Sequence, residues 1–373
     1  MQKIKEQYSF EDVLISPRYS DVLPKEADVS TNFTKKIKLN LPIISAAMDT
    51  VTEYLMAKQM AILGGIGVIH KNMSVDSQSK EILKIKEYKV DIVNEPFSCL
   101  DENNRLRVAA AIGASNDDIE RAKSLIDSGV DAIVIDTSHG HSKNVIDTIK
   151  NLKSFWKTGQ IIAGNVATKE AALDLIYAGA DAIKVGIGPG SICTTRIITG
   201  VGIPQLSAIM EISDVCKTND VFLIADGGIK YSGDIAKAIG AGADTVMLGS
   251  LLAGTDVSPG EILTIEGEKY KSYRGMGSLN AMRSGSADRY FQNNNANLVP
   301  QGVEGYLKYK GSINDIIHQL KGGLTSAMGY TGSKNIEEMK KNCTFVKITA
   351  AGMKESHIHS LDKSEDTINY KKS

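Results

Sequence analysis

Residues 186–196 read GIGPGSICTTR and hold the side chain best suited to covalent chemistry, Cys193. Gly186, Gly188, Pro189 and Gly190 fall within five residues, a composition that demands a tight and unusual backbone path. Ser191, Thr194, Thr195 and Arg196 flank the thiol. A thiolate becomes nucleophilic where positive charge or oriented amides lower its pKa, and such a loop can supply both. Lone cysteines are more often small buried thiols, and Cys99, Cys216 and Cys343 are read that way. Two further stretches, IADGGIKYSGD and MLGSLLAGTD, place Asp226, Gly228, Gly249 and Ser250 where backbone amides could cradle a phosphate. The second is expected to feed a helix N-terminus, where amides and dipole favour anions. Asp226 could accept hydrogen bonds from ribose hydroxyls. The plainer reading of these glycines, close helix–strand packing, weakens when two such loops lie side by side.

Other candidates carry less. Asp136, in IDTSHGHS, stands at a strand end before Ser138, His139 and His141. A metal site on the two histidines is not expected, because i, i+2 spacing without a third ligand is weak. YRGMGSLNAM (273–282) is another glycine-broken segment, able to wrap a phosphate or a base with main-chain groups. Downstream, Arg289-Tyr290-Phe291 lies in a polar, Asn-rich stretch ending at Pro300, which suggests a mobile lid delivering a charged group. On spacing alone, an exposed and solvated Arg explains it as well.

These residues need a scaffold that gathers strand ends. Short apolar runs recur at 41–48, 64–70, 107–113, 131–137, 160–167, 181–188, 221–229 and 244–250, with helix-like stretches between them. Their apolar character is continuous rather than alternating, as in parallel strands covered on both faces. SGVDAIVID from Ser128, AGADAIKVG from Ala178 and AGADTVMLG from Ala241 repeat one joint: a helix ends at Gly, and a buried strand starts after Asp. Eight such strands favour an α/β fold of the (β/α)8 TIM-barrel type over a doubly wound sheet, with the Cys193 loop at the catalytic face.

The 373 residues are read as one elaborated catalytic barrel domain. Two segments break its rhythm. The charged connector 73–106 reads as a helix followed by irregular chain. About seventy residues after Ser250 hold many Gly and Asn and little apolar periodicity, and 251–310 is expected to form an active-site loop and flap. The tail, 361–373, is polar enough to be disordered.

A net charge of −1 argues against nucleic-acid binding through a general basic field. No apolar run reaches the ~18–20 residues that span a bilayer. The charged N-terminus lacks the apolar core of a signal peptide. Four cysteines without CxxC spacing point to reduced thiols in a cytoplasmic enzyme.

The ordered set FEDVLISPRYSDVLP, PIISAAMDTVTE, GGIGVIHKNMS, IDTSHGHS, AGNVAT, GIGPGSICTTR, ADGGI, YRGMGSLNAM, DRYF, VPQGVEG and SAMGYTG resembles the inosine-5′-monophosphate dehydrogenase family nearly end to end. The resemblance implies that Cys193 adds to C2 of the hypoxanthine in inosine monophosphate (IMP). Hydride then passes to NAD⁺ and leaves a covalent purinyl thioimidate. After NADH departs, a flap carrying Arg289 and Tyr290 would fold into the vacated dinucleotide site and promote hydrolysis to xanthosine monophosphate. Thr195 belongs to the same implied catalytic set.

Ser191, Asp226, Gly228, Gly249, Ser250 and Tyr273 would hold the phosphate and ribose. Asn165, Gly275, Met276, Gly277 and Gln301 would line the sugar and base, with Met48 packing nearby. Asp136, Ser138 and Thr195, with Gly186 and Gly188, would lie against NAD⁺. Carbonyls of Gly188, Gly190 and Cys193 would cradle a potassium ion. A neighbouring subunit of a homotetramer would complete that site through Glu355, Ser356 and His357.

Two departures stand out. Relatives usually carry a pair of regulatory CBS modules between the second and third strands, and the connector here is too short to hold them. Many bacterial relatives have Glu where this chain has Gln301. A Thr195-to-carboxylate relay for activating water then loses its ionisable member, which places more weight on Arg289. Guanidinium barely deprotonates in proteins, so base and electrostatic stabiliser both stay open for Arg289. The nearest alternative, guanosine-monophosphate reductase, shares the barrel and cysteine loop but uses NADPH and releases ammonia. The flap and VPQGVEG are implied features of the dehydrogenase. A non-catalytic nucleotide-binding barrel would be expected to lack Cys193 or Arg289, and both are present.

Overall fold

The computed structural model describes residues 4–292, 297–358 and 370. The chain opens with β1 (Val13–Ile15) and an antiparallel hairpin of β2 (Thr31–Thr34) and β3 (Ile37–Leu39). Eight parallel strands follow: β4 (Ile43–Ser45), β5 (Ile66–Ile69), β6 (Ala109–Ile112), β7 (Ala132–Asp136), β8 (Gln160–Val166), β9 (Ala182–Val185), β10 (Phe222–Asp226) and β11 (Thr245–Leu248). Val246 of β11 sits opposite Ile43 of β4 and closes the barrel. Each of the eight apolar runs in the sequence is one of these strands. Between them run α1 (Tyr54–Ile62), α2 (Val75–Glu87), α3 (Asn116–Asp127), α4 (Lys143–Phe155), α5 (Lys169–Ala178), the short α6 (Thr195–Thr199), α7 (Gln205–Thr218) and α8 (Ser232–Gly240).

The repeated helix-to-strand joint has a physical reason. Gly129, Gly179 and Gly242 all have positive φ, the backbone state in which a helix stops most readily at glycine. The aspartate two residues on then ties neighbouring strands together. Asp131 accepts from Val108 N–H at 2.7 Å, Asp181 from Ile161 N–H at 2.8 Å and Asp244 from Leu223 N–H at 2.7 Å. A lysine neutralises each carboxylate: Lys86, Lys153 and Lys340. Three copies of one motif thus fix strand register at the end of the barrel away from the cleft.

Side chains alternate along each barrel strand. Ile133, Ile135, Ile161, Ile183 and Leu223 face the helices, whereas Ile44, Val68, Ala111, Val134, Ile162 and Ile224 fill the interior. Phe33, Ile37 and Leu39 of the β2–β3 hairpin join that interior cluster and plug the barrel at its N-terminal end. The opposite end holds the polar groups. By the same alternation Asp136, Lys184 and Asp226, at or one residue before the ends of β7, β9 and β10, lie on the inward side.

The stretch 251–310 is not the structureless loop its composition suggests. β12 (Leu263–Ile265), β13 (Glu268–Arg274) and β14 (Glu304–Lys308) form an antiparallel sheet. Between β13 and β14 lie α9 (Leu279–Arg283) and a 3-10 turn, Ser286–Tyr290. Met276, Met282, Ala287 and Tyr290 give this insertion a small core of its own. Nor does the eighth loop feed a regular helix: after Ser250 the chain makes a single turn, with Ala253 N–H bonded to Gly249 O. The regular helix that follows a glycine-rich strand-end loop here is α8, after the seventh strand.

Helix α10 (Ile313–Thr331) returns to pack on α8, followed by α11 (Ile336–Asn342), β15 (Phe345–Lys347) and α12 (Ala350–Glu355). β15 pairs antiparallel with β1 and joins the two ends of the chain. The helix and irregular connector expected over 73–106 are observed as α2 and the chain after it. Of the tail 361–373, only Tyr370 lies among the described residues. Among those residues no helix is long and apolar enough to cross a membrane.

Candidate active site

One cleft opens at the C-terminal ends of the barrel strands, with about 1130 Å³ of space including its mouth. Every candidate site residue outside Glu355, Ser356 and His357 lines it. Met48 comes from the loop after β4, Asp136 and Ser138 from the end of β7, and Asn165 from β8. The loop from Gly186 to Thr195 follows β9 and carries Gly188, Gly190, Ser191 and Cys193. Asp226 and Gly228 follow along β10, and Gly249 and Ser250 follow β11. Tyr273, Gly275, Met276, Gly277, Arg289, Tyr290 and Gln301 descend from the insertion.

The Cys193 loop is stitched to residues 301–303, just before β14. Thr194 N–H donates to Gln301 O at 3.0 Å and Val303 N–H to Ile192 O at 3.0 Å, with Cys193 and Gly302 in a β-bridge. This holds the thiol in an ordered row: Cys193 Sγ–H donates to Thr195 Oγ1 at 3.2 Å, and Thr195 donates to Gln301 Oε1 at 3.0 Å. Tight glycines make room around it. A Cβ on Gly186, whose φ is +148°, would stand 2.2 Å from Asp226 O; one on Gly277 would meet the Tyr290 ring at 2.7 Å. Across the cleft the Tyr273 phenol is buried, which raises its pKa, while the Ser191 and Ser250 hydroxyls work the other way.

In the floor of the cleft sits a residue that the sequence analysis above did not single out. Lys184 is fully buried and donates to Asp136 Oδ1 at 2.8 Å, to Asp226 Oδ2 at 2.7 Å and to Asn165 Oδ1. The sequence carried part of the signal: a lysine inside an otherwise apolar run demands buried counter-charges. Burial opposes the charge of Lys184, but Asp136 and Asp226 prevail and raise its pKa.

Arg289 ties the 3-10 turn of the insertion to the same cluster. Its Nε and Nη2 reach the two oxygens of Asp136 at 2.8 and 3.1 Å, and its Nη1 donates to Tyr290 Oη at 3.2 Å. Burial disfavours charge on both partners. The contacts with Arg289 and then Lys184 nevertheless hold Asp136 far below the usual carboxylate range, and Asp136 holds Arg289 well above its ordinary value. Ser138 N–H donates to Arg289 O at 3.0 Å, and Lys71 Nζ reaches Asp288 at 2.6 and 2.5 Å. The Arg289 segment therefore sits against Asp136 and Ser138, the positions that the resemblance gives to the dinucleotide. His141 pairs with Asp174 at 2.8 Å. His357 lies against Tyr231 and Tyr370, at the C-terminal end of the described chain.

The fold and cleft define a (β/α)8-barrel enzyme with a cysteine in a glycine-lined cleft and Arg289 of the insertion docked on Asp136. The chain belongs to the IMP dehydrogenase / GMP reductase family, whose domain matches residues 7–359. It is 50% identical to an inosine-5′-monophosphate dehydrogenase of Cryptosporidium parvum, covering 98% of both chains. An enzyme of the same name from Borreliella burgdorferi is 49% identical over 96% of this chain and 98% of its own. One from Aquifex aeolicus is 42% identical across 482 aligned positions, covering 99% and 98%. Those 482 positions against 373 residues leave more than a hundred unmatched on this chain, as expected for a form without CBS modules.

Proposed function

We propose that this chain oxidises IMP at C2 to xanthosine monophosphate, with NAD⁺ as hydride acceptor, in the supply of guanine nucleotides. One observation carries the reading: Cys193 stands in the Thr195–Gln301 row, facing a cleft whose other walls are the phosphate-type loops and the Arg289–Tyr290 flap. Ser191, Gly228, Gly249, Ser250 and Tyr273 would hold the phosphate and Asp226 the ribose. Asn165, Gly275, Met276, Gly277 and Gln301 would frame the base, with Met48 against it. Cys193 Sγ forms a bond to C2, hydride leaves C2, and water then adds there as the sulfur departs. The balance is IMP, NAD⁺ and water to xanthosine monophosphate, NADH and a proton.

NAD⁺, when bound, supplies the hydride acceptor, and it would lie along Asp136, Ser138, Thr195, Gly186 and Gly188. The docked flap uses that same ground, so the two would occupy it in turn. Arg289, held charged by Asp136, favours electrostatic stabilisation of the hydrolytic step with Tyr290 over proton abstraction. Carbonyls of Gly188, Gly190 and Cys193 would hold potassium. Gly190 O already accepts Cys193 N–H at 3.2 Å, but a carbonyl keeps a second lone pair. Glu355, Ser356 and His357 of a neighbouring copy in a homotetramer would complete that shell. The cytoplasm, where thiols stay reduced, suits Cys193.

Mixing the protein with IMP and NAD⁺ should raise the near-ultraviolet absorbance of NADH. A fall in NADPH absorbance with guanosine monophosphate, and none of the former signal, would overturn the assignment in favour of the reductase.

A further inference from the structure

The ammonium group of Lys184 joins parts of the cleft that the proposed reaction uses separately. Its three N–H bonds point to acceptors on three different strands: Asp136 on β7, Asn165 on β8 and Asp226 on β10. Asp226 Oδ2 also takes Asn165 Nδ2–H at 2.9 Å, so both contacts fall on one oxygen and fix the carboxylate with Oδ1 turned elsewhere. On the other side, Asp136 Oδ1 is shared between Lys184 and Arg289 Nη2. The charged groups facing Lys184 are therefore Asp136, Asp226 and the flap's Arg289, with the Tyr290 phenol beyond.

We propose that Lys184 is a positioning residue that couples the ribose-binding carboxylate to the flap-docking carboxylate, so that nucleotide binding and flap closure depend on one buried cation. It touches neither IMP nor NAD⁺ in this account and acts through its two aspartates. With the flap away, Lys184 is the cation that keeps Asp136 charged and oriented for Arg289 to return. Without Lys184, Asp136 and Asp226 share one cation at most, and none when the flap is open. With Asp136 buried and Asp226 about one-fifth exposed, the two carboxylates then repel each other, which favours a proton shared within the pair.

The inference rests on the proposed oxidation of IMP, and its test separates the two. Failure of the unaltered protein to form NADH from IMP refutes the reaction, whereas IMP binding measured by calorimetry without NAD⁺ tests the coupling alone. Lys184→Met should weaken IMP binding about ten-fold or more, because it strands a buried charge. It should also slow the phase after the NADH burst and give the pH profile of turnover a new acid limb. In an Asp226→Asn background, where that carboxylate no longer needs a cation, Lys184→Met should weaken IMP binding by a clearly smaller factor. Wild-type affinity with an unchanged pH profile, or an equal factor in both backgrounds, overturns the proposal. Should Lys184→Met fail to fold, Lys184→Gln, one atom shorter, keeps a hydrogen-bond donor without the charge and faces the same two outcomes.

Discussion

The contact between Lys71 and Asp288 gives the sharpest quantitative prediction about the flap. Lys71 leaves the end of β5 with its side chain 9% exposed, and Asp288, next to Arg289, is 43% exposed. Because one partner is well solvated, the pair contributes about 0.5–1 kcal/mol, the range of a partly exposed ion pair. That equals a factor of roughly two to five in the ratio of closed to open flap. Lys71→Met should therefore slow the hydrolytic phase by roughly that factor and leave the NADH burst unchanged. The Arg289–Asp136 pair is different: both side chains are largely buried, and losing one partner costs about 3–5 kcal/mol. Rapid mixing of IMP and NAD⁺ with the protein resolves the burst from the slower linear phase. Exchanging the charges, Lys71→Asp with Asp288→Lys, should restore most of the linear rate. A slower burst with an unchanged linear phase, or a charge exchange no better than Lys71→Met alone, would refute the idea that this pair latches the flap.

Arg289→Ala should spare the burst and slow hydrolysis by at least about a hundred-fold; slower hydride transfer with intact hydrolysis would remove Arg289 from the second step. Although burial opposes its charge, Asp136 raises the pKa of Arg289 well above the ordinary value. A step that needs the charged guanidinium then stays flat from about pH 7 to about pH 9, whereas one that needs the neutral form climbs about ten-fold per unit. Burial pushes Cys99 and Cys216 up to about 12 and Cys343 to about 11. At pH 8 roughly one in a thousand of these thiols, or fewer, is thiolate. Iodoacetamide should thus label Cys193 first, with IMP slowing the reaction, and faster labelling at any of the other three cysteines would count against it.

Much of the barrel was legible in the sequence. Buried parallel strands leave continuous apolar runs, and the Gly-then-Asp joint repeats because each copy meets the same need, a left-handed stop and a carboxylate that ties the next strand. Cys193 was legible for a related reason, since few structures need three glycines and a proline beside a thiol. The β12–β14 sheet was not, because Leu263, Ile265, Glu304 and Tyr306 are exposed and a sheet without a well-buried face leaves little alternating pattern. The plug of Phe33, Ile37 and Leu39 escaped notice too: each strand of that hairpin is only three or four residues long. Lys184 was hidden in plain apolar surroundings. Inward parity with Asp136 and Asp226 identifies it, and that parity has meaning only once the barrel is closed.

The central claim is that Cys193 forms a covalent bond to the purine. Trapping the protein with IMP and NAD⁺, followed by peptide mass spectrometry, tests it most directly. The account predicts a nucleotide-sized mass increase on the peptide containing Cys193, lost in Cys193→Ser although that variant still binds IMP. Turnover without an adduct at Cys193, or an adduct on Cys99, Cys216 or Cys343 instead, would contradict it.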